Sequence, residues 1–478
     1  MTSQGRRVVI EPVTRVEGHG KVTLQLDEQN RVTQARFHVV EFRGFERFIQ
    51  GRPYWEVPVL VQRLCGICPV SHHLAAAKAM DVIVGAKLTP AAEKIRRLMH
   101  YGQMYQSHAM HFFHLVSPDL LFGFDADPAV RHVFGVAQKH PELAKQGVLM
   151  RRYGQEIIRA TAGKRIHGTG AIPGGVNKNL GTAERDVFLR DVEQMVAWAL
   201  GALDLCRRYT LDHLDELADF GTFDSSHLSI VRADGAMDLY DGNLRAVDRT
   251  GRKILDGVRP ARYLDHVREE VRPWSYMKFP FLSALGPETG WYRVGPLARL
   301  NTCDLIDTPL AEKERQEFRK LAEGPVQVTM AYHWARMIEL VHSIEKIREL
   351  LHDRDLQSDD LVTQGERKPE GVGIVEAPRG TLFHHYRVDE NDQVTMANLI
   401  VSTTSNNEPI NRSVLAVARK FFDGRELSEG LLNRIEVAIR AYDPCLSCAT
   451  HALGRMPLHA VLLGPDGTER GRLVRAGG

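Results

Sequence analysis

Four of the six cysteines stand in two Cys-x-x-Cys pairs, Cys65/Cys68 and Cys445/Cys448, near opposite ends of a 478-residue chain. The first lies in Arg63-Leu64-Cys65-Gly66-Ile67-Cys68-Pro69-Val70-Ser71-His72, the second in Asp443-Pro444-Cys445-Leu446-Ser447-Cys448-Ala449-Thr450-His451. Two intervening residues let the chain turn back, so both sulfurs of a pair reach one metal. Gly66 removes bulk from the first turn and Pro444 stiffens entry to the second. A helix beginning just after each pair would aim backbone N–H dipoles at the sulfurs and favour thiolate. Soft thiolates select zinc, iron–sulfur, copper(I) or nickel over hard cations. A structural zinc site usually gathers its pairs within roughly 15–20 residues, whereas here 445 − 68 = 377 positions separate them. Spacing alone leaves structural zinc, a cubane iron–sulfur cluster and a redox dithiol open beside nickel.

The elements that must bring these ends together read as α+β: a predominantly helical core, or long helix bundle, with a small N-terminal antiparallel sheet and further short strands. Alternation at Val8, Ile10, Lys21 to Leu26 and Val32 to Val40, broken at Asp27 to Arg31, predicts that sheet within about residues 8–50. From Pro58 the period becomes helical, through Leu74 to Met80 and then Pro90 to Leu115. Pro173-Gly174-Gly175 marks a turn before a long helix from about Ala183 to Leu214. Residues 218–300 read as loops and short strands, Leu310 to His352 as helix, and Gly371 to Val401 as strand and hairpin turning at Asp389 to Asp392. A last helix precedes Asp443. One compact domain, 1–451, is expected.

Composition excludes several classes. Lys plus Arg is 62 against 60 for Asp plus Glu, so no charge excess points to nucleic acid. No apolar run approaches the ~18–20 residues of a membrane span, and Arg6-Arg7 is followed by no signal core. The chain reads as cytoplasmic, unless exported on a partner's signal. Six cysteines are too sparse for a disulfide scaffold; Cys206 and Cys303 stand alone.

The residues flanking the two pairs carry a resemblance. Arg-x-Cys-Gly-x-Cys-x-x-x-His early and Asp-Pro-Cys-x-x-Cys-x-x-His late resemble the paired signatures of nickel–iron hydrogenase large subunits. Arg15-Val16-Glu17-Gly18-His19, Phe42-Arg43-Gly44-Phe45-Glu46, Glu376-Ala377-Pro378-Arg379-Gly380 and Val401-Ser402-Thr403-Thr404-Ser405-Asn406 extend it in family order over nearly the whole chain. The resemblance implies reversible heterolytic cleavage of H2 at a Ni–Fe centre. Nickel is then held by Cys65, Cys68, Cys445 and Cys448; Cys65 and Cys445 are terminal, and Cys68 and Cys448 bridge to an iron carrying CO and cyanide. A terminal thiolate is a base in contact with the metal, as heterolysis needs. Glu17 would take the proton onward from Cys445. Arg379 would stand over the open metal position, permanently charged, with Asp443 paired to it and Pro378 and Thr403 facing the iron ligands. His72 would hydrogen-bond a bridging sulfur and tune the metal. Glu46, the carbonyl of Leu399 and His451 match a magnesium site.

Two departures bear on this. Many relatives carry an Asp where counting back from His111 places Ser107, so Asp443 alone would pair Arg379. His108, His111 and His114 recur every three residues, a spacing that drifts round a helix face and reads as packing and hydrogen bonding. The 27 residues after His451, 452–478, match an extension that a maturation protease removes once nickel chaperones have delivered the metal; read without the resemblance, they are a last hairpin.

Lys164 to Lys178 looks most like the soluble, NAD-reducing bidirectional class. Its Gly-x-Gly-x-x-x-Gly is rejected as a dinucleotide fingerprint, because Pro173 opposes continuation into a helix and no ribose-binding acid is evident. NAD, flavin and iron–sulfur clusters are therefore expected on partner chains, namely diaphorase subunits together with an iron–sulfur small subunit. The alternatives are the same chemistry coupled to a deazaflavin or heterodisulfide system, a non-catalytic quinone-reductase-like relative, or a structural zinc subunit.

Overall fold

The computed structural model describes residues 7–29, 31–42, 44–422, 428–450, 458–463 and 469–475. Strands β1 (Arg7–Ile10), β2 (Gly20–Leu26) and β3 (Val32–Val39) form the antiparallel meander that alternation predicts, with the Asp27 amide bonded to the Arg31 carbonyl in the turn. Its inner face, including Val22, Leu24 and Phe37, joins the largest apolar core.

Helix α1 (Pro69–Ile83) is joined through the buried Asp81–Arg96 ion pair to a bundle whose first three members are α2 (Pro90–Met110), α3 (Pro141–Ala162) and α4 (Thr182–Asp212). Thr89 caps α2 by accepting from the Ala92 amide, and Pro90 fits the first turn, where no amide partner is needed. Beyond α2 the helix widens into a π-turn, His111–Val116. A four-stranded sheet follows, ordered β7-β4-β5-β6, from β4 (Ser226–Val231), β5 (Asn243–Val247), β6 (Lys253–Val258) and β7 (Tyr292–Arg293). Short helix α5 (Pro296–Thr302) then leads to α6 (Ala331–Leu351), the bundle's fourth member, which packs on both α2 and α4.

The remaining chain is a three-stranded antiparallel sheet, β8 (Glu370–Ala377), β9 (Gly380–Val388) and β10 (Val394–Ile400), then α7 (Asn407–Phe422), α8 (Glu429–Ala441) and a hairpin, β11 (Leu458–Leu463) with β12 (Glu469–Arg475). Helix α1 lies flat on β8 because Gly371 and Gly373 share one face of that strand. A Cβ on Gly373 would sit 2.0 Å from the Ala75 carbonyl oxygen, and one on Gly371 2.1 Å from that of Ala79.

Several expectations change in detail. The segment expected as helix from Leu310 to His352 is two helices, Pro309–Arg319 and α6, because Gly324-Pro325 interrupts it. Helix α3 is an addition: its stripe of Tyr153, Ile157 and Ile158 is hidden among charged residues. The hairpin over 371–401 has a second corner at Pro378-Arg379; the last helix expected before Asp443 is α8, and α7 before it is an addition. No helix among the described residues is long and apolar enough to cross a membrane.

Candidate metal centre

The two ends meet. All four Sγ atoms of Cys65, Cys68, Cys445 and Cys448 lie within 4.8 Å of one another, and all four residues are buried. Cys65 and Cys445 are 3.2 Å apart, Cys68 and Cys448 3.7 Å, and Cys445 and Cys448 2.8 Å. None is in a disulfide.

Local backbone explains each pair. A short 3-10 turn, Val61–Leu64, ends in extended Cys65, whose sulfur then accepts from the amides of Ile67 (3.2 Å) and Cys68 (3.3 Å). Cys68 occupies the N-cap of α1, so the positive helix end faces the sulfurs as expected. The second pair differs. Asp443 adopts φ 52°, a left-handed corner that asparagine and aspartate tolerate better than most residues. Residues 445–448 then form a turn, and no helix begins through Thr450. Backbone pairing takes the helix's place: Glu17 and Cys445 form a parallel bridge, and the Leu446 amide donates to the Glu17 carbonyl at 3.0 Å.

The carboxylate of Glu17 meets this turn directly. The Cys445 thiol donates to Oε2 at 3.1 Å, as does the Ser447 amide at 3.1 Å, while the Ser447 hydroxyl donates to Oε1. Sequence reasoning passes over Ser447; its place between two cysteines is the one signal that points to it.

Arg379 and Asp443 form the charged wall. Arg379 Nε donates to the Asp443 carbonyl at 2.7 Å, one Nη to its Oδ1 at 3.1 Å, and the other reaches Ser107 Oγ at 3.5 Å. Ser107 thus offers Arg379 a hydroxyl, and Asp443 supplies its ion pair. Burial pushes the Asp443 carboxyl up against the pull of Arg379 and Arg336, whereas Arg379 is pushed up because Asp443 and the thiols outweigh its own burial. The Thr403 hydroxyl accepts from the Cys445 amide at 2.9 Å, and Pro378 forms the hairpin corner with Arg379. His72 hydrogen-bonds the Cys68 thiol, and its Nδ1 lies 3.1 Å from His384 Nε2.

The donor set suits a soft cation. Hydrogen bonds from the other three sulfurs hold the Cys68 thiol well below its usual value, while burial pushes Cys445 and Cys448 well above theirs. Four thiolates cannot be buried together without a positive ion to share, and binding one would drive all four to the ionised form. The cluster therefore fits a thiolate-bound metal.

A second, oxygen-rich place lies at Glu46. Its Oε1 accepts from the Leu399 amide at 2.9 Å and from Lys278 Nζ at 3.3 Å; Lys278 also meets Glu269 and Asn398 at 3.3 Å. Burial raises the Glu46 carboxyl to about 6 despite Lys278. Carboxylate and amide oxygens suit a hard cation. His451, the third expected ligand here, lies outside the described residues. His108, His111 and His114 are engaged as packing predicts, with Glu339, the Arg440 carbonyl and the Met110 carbonyl respectively.

Comparison with known proteins agrees with this geometry. The family model "Nickel-dependent hydrogenase" matches residues 43–133 and 222–451, and "HoxL-like" matches 7–42. The chain is 49% identical over 470 residues to "NAD-reducing hydrogenase HoxS subunit beta" of Cupriavidus necator, covering 95% of this chain and 96% of that one. It is 43% identical over 417 residues to a chain of the F420-non-reducing hydrogenase vhu of Methanocaldococcus jannaschii, covering 87% and 99%. A solved NAD+-reducing [NiFe]-hydrogenase in the H2-reduced state superposes with a TM-score of 0.92 at 56% identity, covering 94% of this chain and all of that one. With four buried sulfurs converging from both ends and these matches spanning the whole fold, the chain belongs to the nickel-dependent hydrogenase family, as a nickel–iron large subunit.

Proposed function

We propose that this chain is the H2-cleaving subunit of a cytoplasmic, NAD-linked hydrogenase catalysing H2 + NAD+ = NADH + H+. The observation that carries the reading is the contact between a cysteine of the sulfur cluster, Cys445, and the carboxylate of Glu17. Cys65, Cys68, Cys445 and Cys448 would hold the nickel–iron centre, with CO and cyanide on the iron. When bound, that centre supplies the two-electron acceptor for heterolytic splitting of H2.

The chain's own part is proton handling and exclusion of water. Cys445 Sγ takes the proton released on splitting and passes it to Glu17 Oε2, which the Ser447 amide and hydroxyl hold in place. Arg379, pinned to Asp443, keeps a fixed positive charge at the mouth of the cluster. Thr403 fixes the Cys445 backbone and His72 bonds Cys68, so both cysteine turns are held from behind. Glu46, the Leu399 carbonyl and His451 would hold Mg2+. Residues 452–478 would be removed by a maturation protease after nickel delivery, leaving His451 as the terminus.

Electrons would leave through an iron–sulfur small subunit to diaphorase subunits carrying flavin and the NAD site. The similarity to an NAD-reducing relative along 95% of the chain favours NAD+ over another acceptor. The test is purification of the assembled complex, elemental analysis, infrared spectroscopy and an assay of H2-dependent NAD+ reduction. Nickel and iron together, with CO and cyanide bands and NADH formation, are expected. Zinc alone would overturn the reading, and a metal-loaded complex that reduces dyes but never NAD+ would overturn the acceptor.

A further inference from the structure

Arg299, on α5, is completely buried, and each of its five N–H groups has an acceptor. Nε donates to Glu339 Oε1 at 2.5 Å. One Nη donates to Glu339 Oε2 at 2.6 Å and to the Pro378 carbonyl at 3.3 Å; the other donates to Glu376 Oε2 at 2.7 Å and to the Ala377 carbonyl at 3.0 Å. One planar group thus ties central helix α6, strand β8 and the two carbonyls that immediately precede Arg379.

Its partners are anchored in turn. Glu376 Oε1 accepts from the Ile230 amide at 2.9 Å and the Thr381 hydroxyl at 2.8 Å, and Glu339 Oε2 faces His108 Nε2 at 3.0 Å. Burial would raise Glu339, but Arg299 brings it down to about 2, so the pair stays ionised. Ala377 pairs with Gly380, which makes Pro378-Arg379 a two-residue corner. Gly380 has φ 136°, and a Cβ there would fall 2.4 Å from Val294 Cγ2 and 2.6 Å from the Gly295 nitrogen. The corner is therefore fixed on two sides, by the guanidinium of Arg299 and by the backbone at Val294-Gly295.

We propose that Arg299, clamped by Glu339 and Glu376, is a positioning residue that sets where the Arg379 guanidinium stands relative to Asp443 and the cysteine sulfurs. The proposal rests on the reading of Arg379 as the charge at the mouth of the metal centre. Fixing a corner matters there because displacing a charged group by about 1 Å can cost on the order of 100-fold in rate. Lysine cannot replace Arg299: it keeps the charge but offers three donors on a flexible stem and no planar fork.

The test uses the assembled holoenzyme with Arg299→Lys, Arg379→Lys and the double variant. Expected for Arg299→Lys are retained nickel and iron, a fall of about 10- to 100-fold in H2-dependent turnover with KM for the electron acceptor unchanged, and a crystal structure in which Arg379 has lost its bonds to Asp443. The double variant should be no slower than Arg379→Lys alone. An Arg299→Lys crystal structure with the Arg379–Asp443 bonds intact would overturn the proposal, as would losses that multiply in the double variant. If Arg299→Lys does not fold, Thr381→Val, which removes one anchor of Glu376, is expected to give the same displacement in smaller degree; an undisplaced Arg379 there would also overturn it. Should Arg379→Lys leave turnover unchanged, the role assigned to Arg379 fails, and the crystallographic arm still decides whether Arg299 positions the corner.

Discussion

Glu17 and Cys445 are tied twice: their backbones form a parallel bridge across 428 positions of sequence, and the Cys445 thiol donates to Glu17 Oε2 at 3.1 Å. The side-chain contact is thus enforced by main chain on both sides, since the Leu446 amide bonds the Glu17 carbonyl and the Ser447 amide bonds its carboxylate. Glu17→Gln preserves that shape and removes the carboxylate. Hydrogen–deuterium exchange between D2 and water is expected to fall by about 100-fold or more while nickel content stays the same. Exchange within a factor of two of the unaltered enzyme would show that the proton leaves by another route.

Removing a cysteine should act on the metal itself. Cys68→Ser deletes one of the four clustered sulfurs and substitutes a hard hydroxyl. Nickel bound per chain is expected to drop at least about 10-fold, measured by elemental analysis of the isolated chain. Full nickel occupancy in this variant would argue that the sulfur cluster is not where nickel sits.

The contact between α1 and β8 makes a stability prediction. Gly373→Ala places a methyl carbon 2.0 Å from the Ala75 carbonyl oxygen, on the helix whose N-cap is Cys68. Either the helix or the strand must shift, at a cost of about 1–3 kcal/mol, with the shift passed to the first cysteine pair. Thermal unfolding of the assembled complex should begin at lower temperature, with lower nickel content. An unchanged midpoint would mean the two elements separate easily.

Buried neutral histidines set an acid limit. Burial lowers His73, His100, His108 and His342 to about 4 from an ordinary 6.5. Between those values the unfolded chain binds protons that the folded chain refuses, so the stability present above pH 6.5 is lost as pH falls towards 4. Each contributes on the order of 1 kcal/mol by pH 5.5. Glu46, raised to about 6, works in the opposite sense, stabilising in acid and losing that contribution as pH rises through 6. Burial raises Asp443, Glu269 and Glu376 in the same sense, but it also lowers His111, His227 and His333 beside the first four histidines. The melting temperature should be lower at pH 5.5 than at pH 7.5; an equal or higher value at pH 5.5 would contradict this balance.

Much of the centre was legible because its chemistry lies in short local patterns. Cys-x-x-Cys, the Glu17 motif and Pro378-Arg379 can each be read without knowing the fold. The supports behind them cannot. Arg336, Glu339 and Glu345 look like solvent-facing charges on an exposed helix, yet all three are buried in α6. Arg299 and Glu376 are 77 positions apart and only the fold makes them partners. The same holds for Asp119, which receives Arg15 and Arg440 and so locks the Glu17 segment to α8. That no helix begins between Cys445 and Thr450 has a related cause: pairing of the turn with Glu17, 428 positions upstream of Cys445, replaces the local hydrogen bonds on which a helix prediction depends.

The span of 380 positions between Cys65 and Cys445 also has a consequence in time. At roughly 5–20 residues per second, a ribosome would release the first pair about 20–75 s before the second exists. During that interval two of the thiols are present without the other pair, exposed to any stray soft ion that two sulfurs can grip. Fidelity of loading is therefore a problem of synthesis order, and a nascent chain whose first pair is kept covered until Cys445 and Cys448 have emerged would avoid it.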